Sequence, residues 1–533
     1  MHIFLQFNGR FTPKADRLAR CLGQHHGFDR FSGVSTGEGH ARWLLDPKNT
    51  PVRYAHVQAL PDLWRGALSR GRPDPGRLAE LEARYGNLWR FVIADRNLGH
   101  TFLTGTIVPE TALRGRALEL DTMLSCLQSL FDYFERRLEE DPPDAVFFQV
   151  VAAAPALVAA AVCRRLKIPF LTLGKTKYDD RHHLATNALM QPDPVIDRYA
   201  DPSLSPLPEA WSRLEASRER PKASDHYEAD RRNFSRRHGG GLGRMVRGRL
   251  AALPEVFRPW QKPYARDPRA PTAWQQWQWE TRVQWNFRRI VRSGMFEAGP
   301  PAGDYAFLPL SVTPEASTCV VAPEFADQLT LVGALARGLP AGWKLVVKDH
   351  LPMCGRRTRA FYEQILRYQN AVLVDPTIRS TELIRGARLT AVIAGTSGWE
   401  AMVMGCPVLA FGDAWYLATG LGHRCLNTNR IHEDIREACA IAARFGPAER
   451  DRRCARMFQA LVDGSFRFEY DMMWSRLDAP QLDARSAQFE DLATRIAARI
   501  ARARAEGVPD PFDTSAWTRD RTPAAGGGAR PAG

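Results

Sequence analysis

The chain has 533 residues, of which 44% are hydrophobic and 25% are charged, a composition that excludes a mainly disordered or fibrous protein. This length exceeds what one hydrophobic core organises, so two or three domains are expected. The formal net charge of +14 favours an anionic partner, whether nucleic acid, an acidic lipid surface, or a phosphorylated or acidic-sugar substrate.

Residues 1–195 have the pattern of a first Rossmann-like α/β domain. The predicted elements are a strand at His2–Phe7, a helix over 120–138, a strand at 145–151, a helix over 155–166 and a strand at 169–173. The apolar run 145–163 approaches the length of a membrane span. Because Pro155 divides a β-rich half from an alanine-rich half, we expect a strand followed by a helix instead.

Residues 196–300 interrupt this alternation and predict a basic helical linker or insertion. Arginines cluster over 231–249, and Trp274, Trp277, Trp279 and Trp285 follow among further arginines. This mixture is typical of helices that lie on an anionic membrane surface or contact a polyanion, and the alternative is a packed or solvated linker. Because no helix-turn-helix, zinc-finger or RNA-binding signature accompanies the charge, nucleic acid is not expected as a partner.

Residues 301–480 predict a second Rossmann-like domain, because strands and helices alternate strictly. The predicted strands are Tyr305–Pro309, Lys344–Lys348, Ala371–Val374, 389–394 and 407–411, with helices over 325–339, 358–368 and 399–404 and a short helix ending at 385. An amphipathic helix over 481–507 and a disordered tail over 508–533 follow. The predicted fold class is therefore α/β, with two doubly wound domains and the insertion between them.

The most specific candidate site follows the predicted strand 389–394. Ligands of open α/β sheets bind beyond the carboxyl ends of the strands, and here a strand runs into Gly395, Thr396, Ser397 and Gly398 at the start of a helix. Free backbone N–H groups, the helix dipole and two hydroxyls predict a donor-phosphate site, with Glu400 accepting hydrogen bonds from a ribose. The alternative makes Ser397 an ordinary N-cap and Glu400 a partner of the helix dipole.

Two more loops follow strands in the same domain. Lys348 and His350 end one strand, and both groups are suited to neutralise the phosphate of a leaving nucleotide. The alternative is a surface lysine beside a histidine whose hydrogen bonds are satisfied. Glu315 follows another strand as a base, a nucleophile or a helix cap. We predict Glu315 and His350 as catalytic residues and Lys348 as a donor ligand.

In the N-terminal domain, the loop after the strand at 169–173 is dense in acids and bases. Its predicted acceptor-side residues are Lys175, Asp179 and Arg181, with Asp180 as a third catalytic candidate. A second acceptor-side loop carries Asp95 and Arg96, although turn formation explains its glycines as readily.

With these motifs the chain resembles the capsule polysaccharide synthesis and export proteins, a family that includes retaining β-Kdo transferases. The motifs are FLPL at 307–310 with TPE at 313–315, VKDH at 347–350 and GTSGWEA at 395–401, and the likeness covers 300–415 well and 80–190 more loosely. The resemblance implies a GT-B glycosyltransferase with the nucleotide on the C-terminal domain and the acceptor on the N-terminal domain. The family's His-Pro pair contacts the donor phosphate; here Leu351 separates His350 from Pro352, so the motif does not define the donor.

We therefore predict a glycosyltransferase that moves a sugar from a nucleotide-sugar donor, with CMP-Kdo as one candidate, to a capsule or surface polysaccharide. The alternatives are a sugar-nucleotide epimerase, a polyol-phosphate transferase and a non-catalytic, membrane-associated polysaccharide-binding protein, which sheet topology does not separate. The expected partners are the donor, a glycan or glycolipid acceptor and an anionic membrane surface.

No cofactor and no metal are expected, because the nine cysteines are scattered without zinc-type spacing. No secretion signal is visible at the N-terminus. We expect a cytoplasmic protein that lies peripherally on the inner face of the inner membrane.

Overall fold

Alternating strands and amphipathic helices build two α/β domains, each around one sheet. The computed structural model of the chain describes residues 1–99, 118–176, 180–219, 242–256 and 273–515. Neighbouring residues of a strand face opposite cores: Ile3 and Leu5 pack in one cluster, and Phe4 packs in another. The N-terminal sheet is therefore covered on both faces, as its continuous apolar strands predict.

The N-terminal domain has a parallel sheet with one antiparallel edge. Its strands are β1 (His2–Phe7), β2 (Arg30–Ser35), β3 (Tyr54–Ala59), β4 (Ala145–Phe148), β5 (Phe170–Lys175) and β6 (Arg181–Ala185). Its helices are α1 (Thr12–His26), α2 (Glu38–Leu45), α3 (Leu60–Arg70), α4 (Pro75–Tyr85), α5 (Trp89–Ala94), α6 (Leu120–Glu140), α7 (Ala154–Leu166), α8 (Asp193–Ala200) and α9 (Pro208–Glu219). Strands β3, β2, β1, β4 and β5 are parallel in that spatial order, and β6 is antiparallel to β5.

Strands β2 and β3 are absent from the sequence prediction because polar residues and a glycine interrupt their apolar pattern. Close packing of the backbones explains one of these residues, Gly33 in β2. A Cβ atom at Gly33 would lie 2.1 Å from the carbonyl oxygen of Leu5 and 2.7 Å from the ring of Phe7. A residue that weakens the strand pattern in the sequence is thus what allows β1 and β2 to approach.

The predicted basic insertion contains the helices α10 (Leu242–Ala251), α11 (Leu253–Val256) and α12 (Ala273–Val291). These helices confirm its helical character in the described part of the chain. Residues 220–241, which carry much of the predicted arginine cluster, lie outside the described residues.

The C-terminal domain has a fully parallel sheet. Its strands are β7 (Tyr305–Pro309), β8 (Lys344–Lys348), β9 (Ala371–Val374), β10 (Leu389–Val392), β11 (Val408–Ala410) and β12 (His423–Arg424). Its helices are α13 (Ala316–Cys319), α14 (Gln328–Gly338), α15 (Arg359–Leu366), α16 (Ser380–Gly386), α17 (Thr396–Val403) and α18 (Ile431–Arg444). The spatial order β12-β11-β10-β7-β8-β9 is doubly wound, which confirms the predicted fold class and the GT-B-like pairing of two Rossmann-like domains.

The end of the chain returns to the N-terminal domain. Its elements are α19 (Pro447–Asp463), β13 (Phe466–Arg467), α20 (Tyr470–Trp474), α21 (Ala479–Asp483) and α22 (Ser486–Glu506). Strand β13 pairs antiparallel with β6, so the crossing back occurs before the predicted domain boundary at 480. A two-residue strand leaves no periodic signal in the sequence, which explains the difference.

The predicted tail begins at 508, and its residues from 516 onward lie outside the described residues. Residues 508–515 are described, and Pro511 is buried and Phe512 half-buried among them. The apolar run 145–163 is divided into β4 and α7, as expected from Pro155. Within the described ranges, no helix is both long enough and apolar enough to cross a membrane.

We predict that Gly33→Ala destabilises the protein by roughly 1–3 kcal/mol, because the new methyl group overlaps the backbone of β1. The matched control is Gly66→Ala inside α3, where an added Cβ has no neighbour within 4 Å. That control should gain about 0.5–1 kcal/mol. Chemical denaturation of both variants measures the difference, and equal stability of the two would contradict the close approach of β1 and β2.

Candidate functional site

The candidate site lies where the strand order of the C-terminal sheet changes direction. From β7 the chain moves outward to β8 and β9, and from β10 it moves the other way to β11 and β12. Open α/β sheets bind ligands in the crevice at such a switch point, which here lies at the carboxyl ends of β7 and β10. The loops after β7 and β10 carry Glu315 and Thr396, and the loop after the adjacent β8 carries His350. The fold thus brings the three predicted donor loops to one edge of the sheet.

The N-terminus of α17 faces this crevice. Gly395 is its N-cap residue in an extended conformation, so the alternative that makes Ser397 the N-cap does not describe this helix. Thr396 and Ser397 are the first two helical residues and are half-buried. In the described part of the chain, neither hydroxyl has a hydrogen-bond partner. Their hydroxyls and the dipole of α17 form an environment suited to a phosphate.

Gly398 is required by packing beneath the loop. A Cβ atom there would lie 2.1 Å from the hydroxyl oxygen of Tyr416, and that hydroxyl donates a hydrogen bond to the carbonyl oxygen of Gly395 at 3.0 Å. The backbone N–H of Gly398 also donates to the Gly395 carbonyl at 3.2 Å. Trp399 packs against Trp415, with ring centroids 5.1 Å apart. Gly398 therefore shapes the predicted donor loop, and its own N–H group is engaged in a turn.

Lys348 and Glu400, distant in sequence, lie within electrostatic range of each other. Lys348 is buried, and its Nζ donates to the Oγ of Ser380 at 3.4 Å. Burial lowers the pKa of the Lys348 ammonium, and the carboxylates of Asp349, Glu400 and Asp375 oppose that shift. A buried cation surrounded by acids stays positive only through such partners. Lys348 thus supplies positive charge from below the crevice, and Glu400 lies within its electrostatic reach.

A buried ion pair holds the His350 loop. Asp349 is fully buried and accepts a hydrogen bond from the backbone N–H of His350 at 2.7 Å and from the Tyr362 hydroxyl at 2.5 Å. Arg357, also buried, pairs with the same carboxylate. The other Nη of Arg357 donates to the carbonyl oxygen of Ser311 at 2.7 Å. One guanidinium therefore connects the loops after β7 and β8.

Gln328 fixes the loop after β7 from the other side. Its side-chain amide accepts from the backbone N–H of Ser311 at 2.7 Å and donates to the Ser311 carbonyl oxygen at 3.0 Å and to the Thr313 hydroxyl at 2.7 Å. Glu315 follows as the exposed N-cap residue of α13, and its carboxylate accepts from the Ser317 hydroxyl at 2.9 Å. The helix-cap alternative therefore describes its position, and its catalytic role stays a prediction.

The helix α5, which precedes one of the predicted acceptor loops, contacts α13 of the other domain. Ile93 of α5 packs against Cys319 of α13, and the charge of the exposed Arg96 acts on the same thiol. Asp95 is buried, and its carboxylate accepts from the backbone N–H groups of Asn97 and Leu98 at 2.9 and 3.0 Å. Arg96 is thus exposed close to α13, whereas the Asp95 carboxylate closes its own turn.

The other predicted acceptor loop binds the returning C-terminal segment. Arg181 donates from Nε to the Oγ of Ser465 at 2.9 Å and from Nη2 to the carbonyl oxygens of Val462 and Ser465, both at 2.8 Å. The Asp180 carboxylate accepts from the backbone N–H of Tyr470 at 3.4 Å. These contacts differ from the expectation that Asp180 and Arg181 face the cleft, because β13 returns beside β6.

Lys175 lies at the end of β5, with its Nζ 4.6 Å from the ring centroid of Tyr470. The predicted acceptor-side residue Asp179 lies outside the described residues. His182 and His183 in β6 are buried, and burial lowers their pKa values to about 4 and about 3. Both imidazoles are therefore neutral near pH 7 and belong to the core of this edge.

One segment of the C-terminal domain matches a known protein family. Residues 321–444 match the family model described as capsule polysaccharide biosynthesis protein. The resemblance to capsule polysaccharide biosynthesis proteins is confirmed over this segment. The capsule-synthesis segment, 321–444, contains Lys348, His350 and the loop at 395–400, while Glu315 lies just before it. No curated protein matches the chain.

Solved structures with some similarity span several activities. A β-Kdo 2,7 transferase, KpsC of Thermosulfurimonas dismutans, is 13% identical with a TM-score of 0.27, over 58% of this chain and 80% of its own. A glycosyltransferase of Rickettsia africae is 10% identical with a TM-score of 0.26, over 94% and 98%. The UDP-GlcNAc 2-epimerase of Neisseria meningitidis is 11% identical with a TM-score of 0.20, over 92% and 100%. TM-scores this low carry no argument about function.

The switch point of the N-terminal sheet adds polar residues that the sequence analysis does not name. The N-terminal sheet changes direction between β1 and β4, so the crevice opposite the capsule-synthesis segment is bounded by the loops after those strands. Arg10, in the loop after β1, is exposed and donates to the carbonyl oxygen of Trp474 at 3.3 Å. Gln149, in the loop after β4, donates to the carbonyl oxygen of Met473 at 2.8 Å. The sequence feature that could identify Arg10 is its position, because Asn8-Gly9-Arg10 directly follows the first strand.

Residues 511–514 link the two domains beside this cleft. The ring of Phe512 lies between two arginines of the N-terminal domain, with centroid distances of 5.1 Å to Arg90 and 5.5 Å to Arg164. The side chain of Thr514 hydrogen-bonds Asp413, which follows β11 in the capsule-synthesis segment. The end of the described chain thus contacts both walls of the cleft.

We predict that Arg357→Met destabilises the protein by about 3–5 kcal/mol, because it leaves the Asp349 carboxylate buried without its cation. The matched control is Arg359→Met, which removes an exposed pair with Glu363 and should cost less than about 1 kcal/mol. Urea denaturation compares the two variants. Similar losses in both would show that the Asp349–Arg357 pair does not hold the loops.

We predict that His183→Gln reduces the acid sensitivity of the fold. The folded pKa of about 3 lies below the unfolded value, so the unfolded state binds the extra proton as the pH falls from about 6.5, and stability is lost. The variant should lose about 2 kcal/mol less than the wild type between pH 7 and pH 5. Denaturation at both pH values measures this, with His25→Gln as the exposed control. An unchanged pH dependence would contradict a buried, neutral His183.

Proposed function

We propose that the chain is a glycosyltransferase that transfers a sugar from a nucleotide-sugar donor to a capsule or surface polysaccharide. The observation that carries this proposal is the position of the three strand-end loops at the C-terminal switch point. Two of these loops belong to the segment that matches the capsule polysaccharide biosynthesis family. Proteins that bind nucleotides in open α/β sheets do so at such a crevice.

The loops supply the charges that donor cleavage needs. Breaking a sugar–phosphate bond leaves negative charge on the departing nucleotide, and fixed donors aimed at that charge lower the barrier. Thr396 and Ser397 provide hydroxyls at the positive end of α17, and Lys348 provides a buried cation. In this proposal His350 contacts the donor phosphate, and Glu400 accepts hydrogen bonds from the ribose.

The reacting sugar lies between the two domains in this proposal. Glu315 is the proposed base or nucleophile, because it is exposed and its charge, like that of Arg96, acts on the Cys319 thiol. Arg96 and Arg10 are the proposed contacts for an acceptor that carries acidic groups. Asp180 is a weaker catalytic candidate, since its carboxylate accepts from Tyr470.

The proposed donor follows from the family match. CMP-Kdo is a candidate because of the family match, although His350-Leu351-Pro352 departs from a direct His-Pro pair. The proposed reaction uses the nucleotide-sugar as a substrate and requires no separate cofactor. A cytoplasmic location at the inner face of the membrane belongs to the same proposal.

We predict that CMP, UDP, GDP and CDP, tested one at a time, differ in the thermal shift that they produce, with one base giving the largest shift. A ligand that binds only the folded state raises stability by RT ln(1 + [L]/Kd). In Thr396→Ala/Ser397→Ala, the Kd for that nucleotide should rise at least about tenfold, because each lost hydrogen bond to a charged group is worth about 1.5–3 kcal/mol.

The control for this experiment is Ser69→Ala/Thr494→Ala, which removes two hydroxyls on exposed helices far from the crevice. The control should bind the nucleotide as the wild type does. Unchanged affinity in the Thr396/Ser397 variant, with the fold intact, would remove the phosphate site from the proposal.

A further inference from the structure

The helix α12 is fixed against the C-terminal domain by one face. Val283, Phe287 and Ile290 are buried on that face. A Cβ atom at Gly355 would lie 2.4 Å from the Val283 carbonyl oxygen and 2.9 Å from the Phe287 Cβ, so the helix and the loop after β8 are in close contact. Because this face packs against the domain, the opposite face of α12 points to solvent in a fixed orientation.

The outward face of α12 carries an aromatic and basic stripe. Its members, spaced by three or four residues so that they share one side of a helix, are Trp274, Gln278, Arg282, Trp285, Arg289 and, just past the helix end, Arg292. All of them are exposed. The two indoles show 47% and 52% of their surface to solvent, which is unusual for tryptophan.

The charge of this stripe is of one sign. Within α12 the sole acidic residue is Glu280, which lies off the stripe and pairs with Arg249 of α10. The indole N–H of Trp277 donates to the Arg249 carbonyl oxygen at 2.9 Å, so α10 and α12 are joined along their inner sides. The outward stripe therefore presents three arginines and no carboxylate.

The neighbouring helix α10 adds aliphatic side chains to the same hairpin. Leu242, Val246 and Leu250 recur every four residues and are 49%, 45% and 58% exposed. An exposed aliphatic row on one helix, with exposed indoles and arginines on the helix that it contacts, has the composition of helices that lie in a membrane interface, with indoles at headgroup depth. A hydrated polyanion would leave the aliphatic row in water, and this favours lipid over nucleic acid or an acidic glycan.

We propose that the α10–α12 hairpin is a docking surface for anionic phospholipid. Arg282, Arg289 and Arg292 contact lipid phosphates, Trp274 and Trp285 lie at headgroup depth, and the α10 row enters the acyl boundary. The sequence already predicts a membrane-surface composition for Trp274, Trp285 and the arginines around them, and the structure adds which of these side chains share the outward face. Much of the arginine cluster over 231–249 lies outside the described residues. The inference does not depend on the chemistry of the donor site.

The experiment is flotation of the full chain with two kinds of vesicle. One contains phosphatidylcholine alone, and the other also contains about 30 mol% phosphatidylglycerol, which supplies negative surface charge. We expect binding to the anionic vesicles at low salt and release at high salt. Arg282→Gln/Arg289→Gln/Arg292→Gln should weaken the partition coefficient by on the order of 100-fold, from roughly fivefold per arginine. Trp274→Ser/Trp285→Ser should weaken it at least about tenfold through the lost aromatic burial.

The charge-matched control is Arg136→Gln/Arg359→Gln/Arg444→Gln, which removes three exposed arginines elsewhere and lowers the net charge equally. This control should lose far less binding than the stripe variant. Equal loss in both triple variants would show a general charge effect and overturn the proposal. Retention on heparin that depends on the stripe, without flotation on anionic vesicles, would assign the surface to a polyanion instead.

Thermal-shift binding of nucleotide by the same variants separates this proposal from the proposed function. A stripe variant that fails to float and binds nucleotide as the wild type does supports lipid docking by this hairpin. A variant that loses both properties has a damaged fold, and the tryptophan pair then provides the test, with quenching of indole fluorescence by brominated lipid as its readout. Absence of quenching in the wild type would overturn the proposal.

Discussion

The candidate site depends first on the buried ion pair between Asp349 and Arg357. Removing two charges from water is costly, and the cost is offset only when every lone pair and donor is engaged. Here the Tyr362 hydroxyl and the backbone N–H of His350 also donate hydrogen bonds to the Asp349 carboxylate. The carbonyl oxygen of Ser311 accepts a second hydrogen bond from the Arg357 guanidinium. Because the pair spans the ends of β7 and β8, two separate loops become one rigid wall of the crevice. Catalytic and binding groups need this kind of support to hold a fixed geometry.

The second constraint is the return of the chain to the N-terminal domain. Strand β13 extends that sheet, and α20 lies across its carboxyl edge, where Arg10 and Gln149 bind its carbonyl groups. Residues that look like a polar active-site loop in the sequence, Asp180 and Arg181, hold this returning segment. This wall of the cleft is thus built from both ends of the chain, and residues 511–514 contact both walls. A movement of one domain relative to the other must therefore change the contacts of residues 511–514.

Much of the fold was predictable because it follows from local periodicity. The strands of the C-terminal domain and its donor loops are given by apolar runs that end in glycine and hydroxyl residues, and the loop at 395–400 lies where the pattern places it. The acceptor side was not predictable in the same way. The composition of its polar loop suggests a site, but the loop's contacts come from the pairing of β13 with β6, which is non-local. In the C-terminal domain, the ion pair between Arg357 and Asp349 likewise leaves no periodic pattern in the sequence. The strand-end rule that located the donor crevice, applied to β1, indicates Arg10.

The central claim is that the C-terminal switch point binds a nucleotide. The most direct measurement is amide hydrogen exchange with CMP, UDP, GDP and CDP added in turn. The account predicts that one nucleotide slows exchange in residues 311–318 and 394–400 together, while amides of β2 and β3 do not change. Protection restricted to the N-terminal domain, or to one of the two loops, would contradict a nucleotide site between β7 and β10.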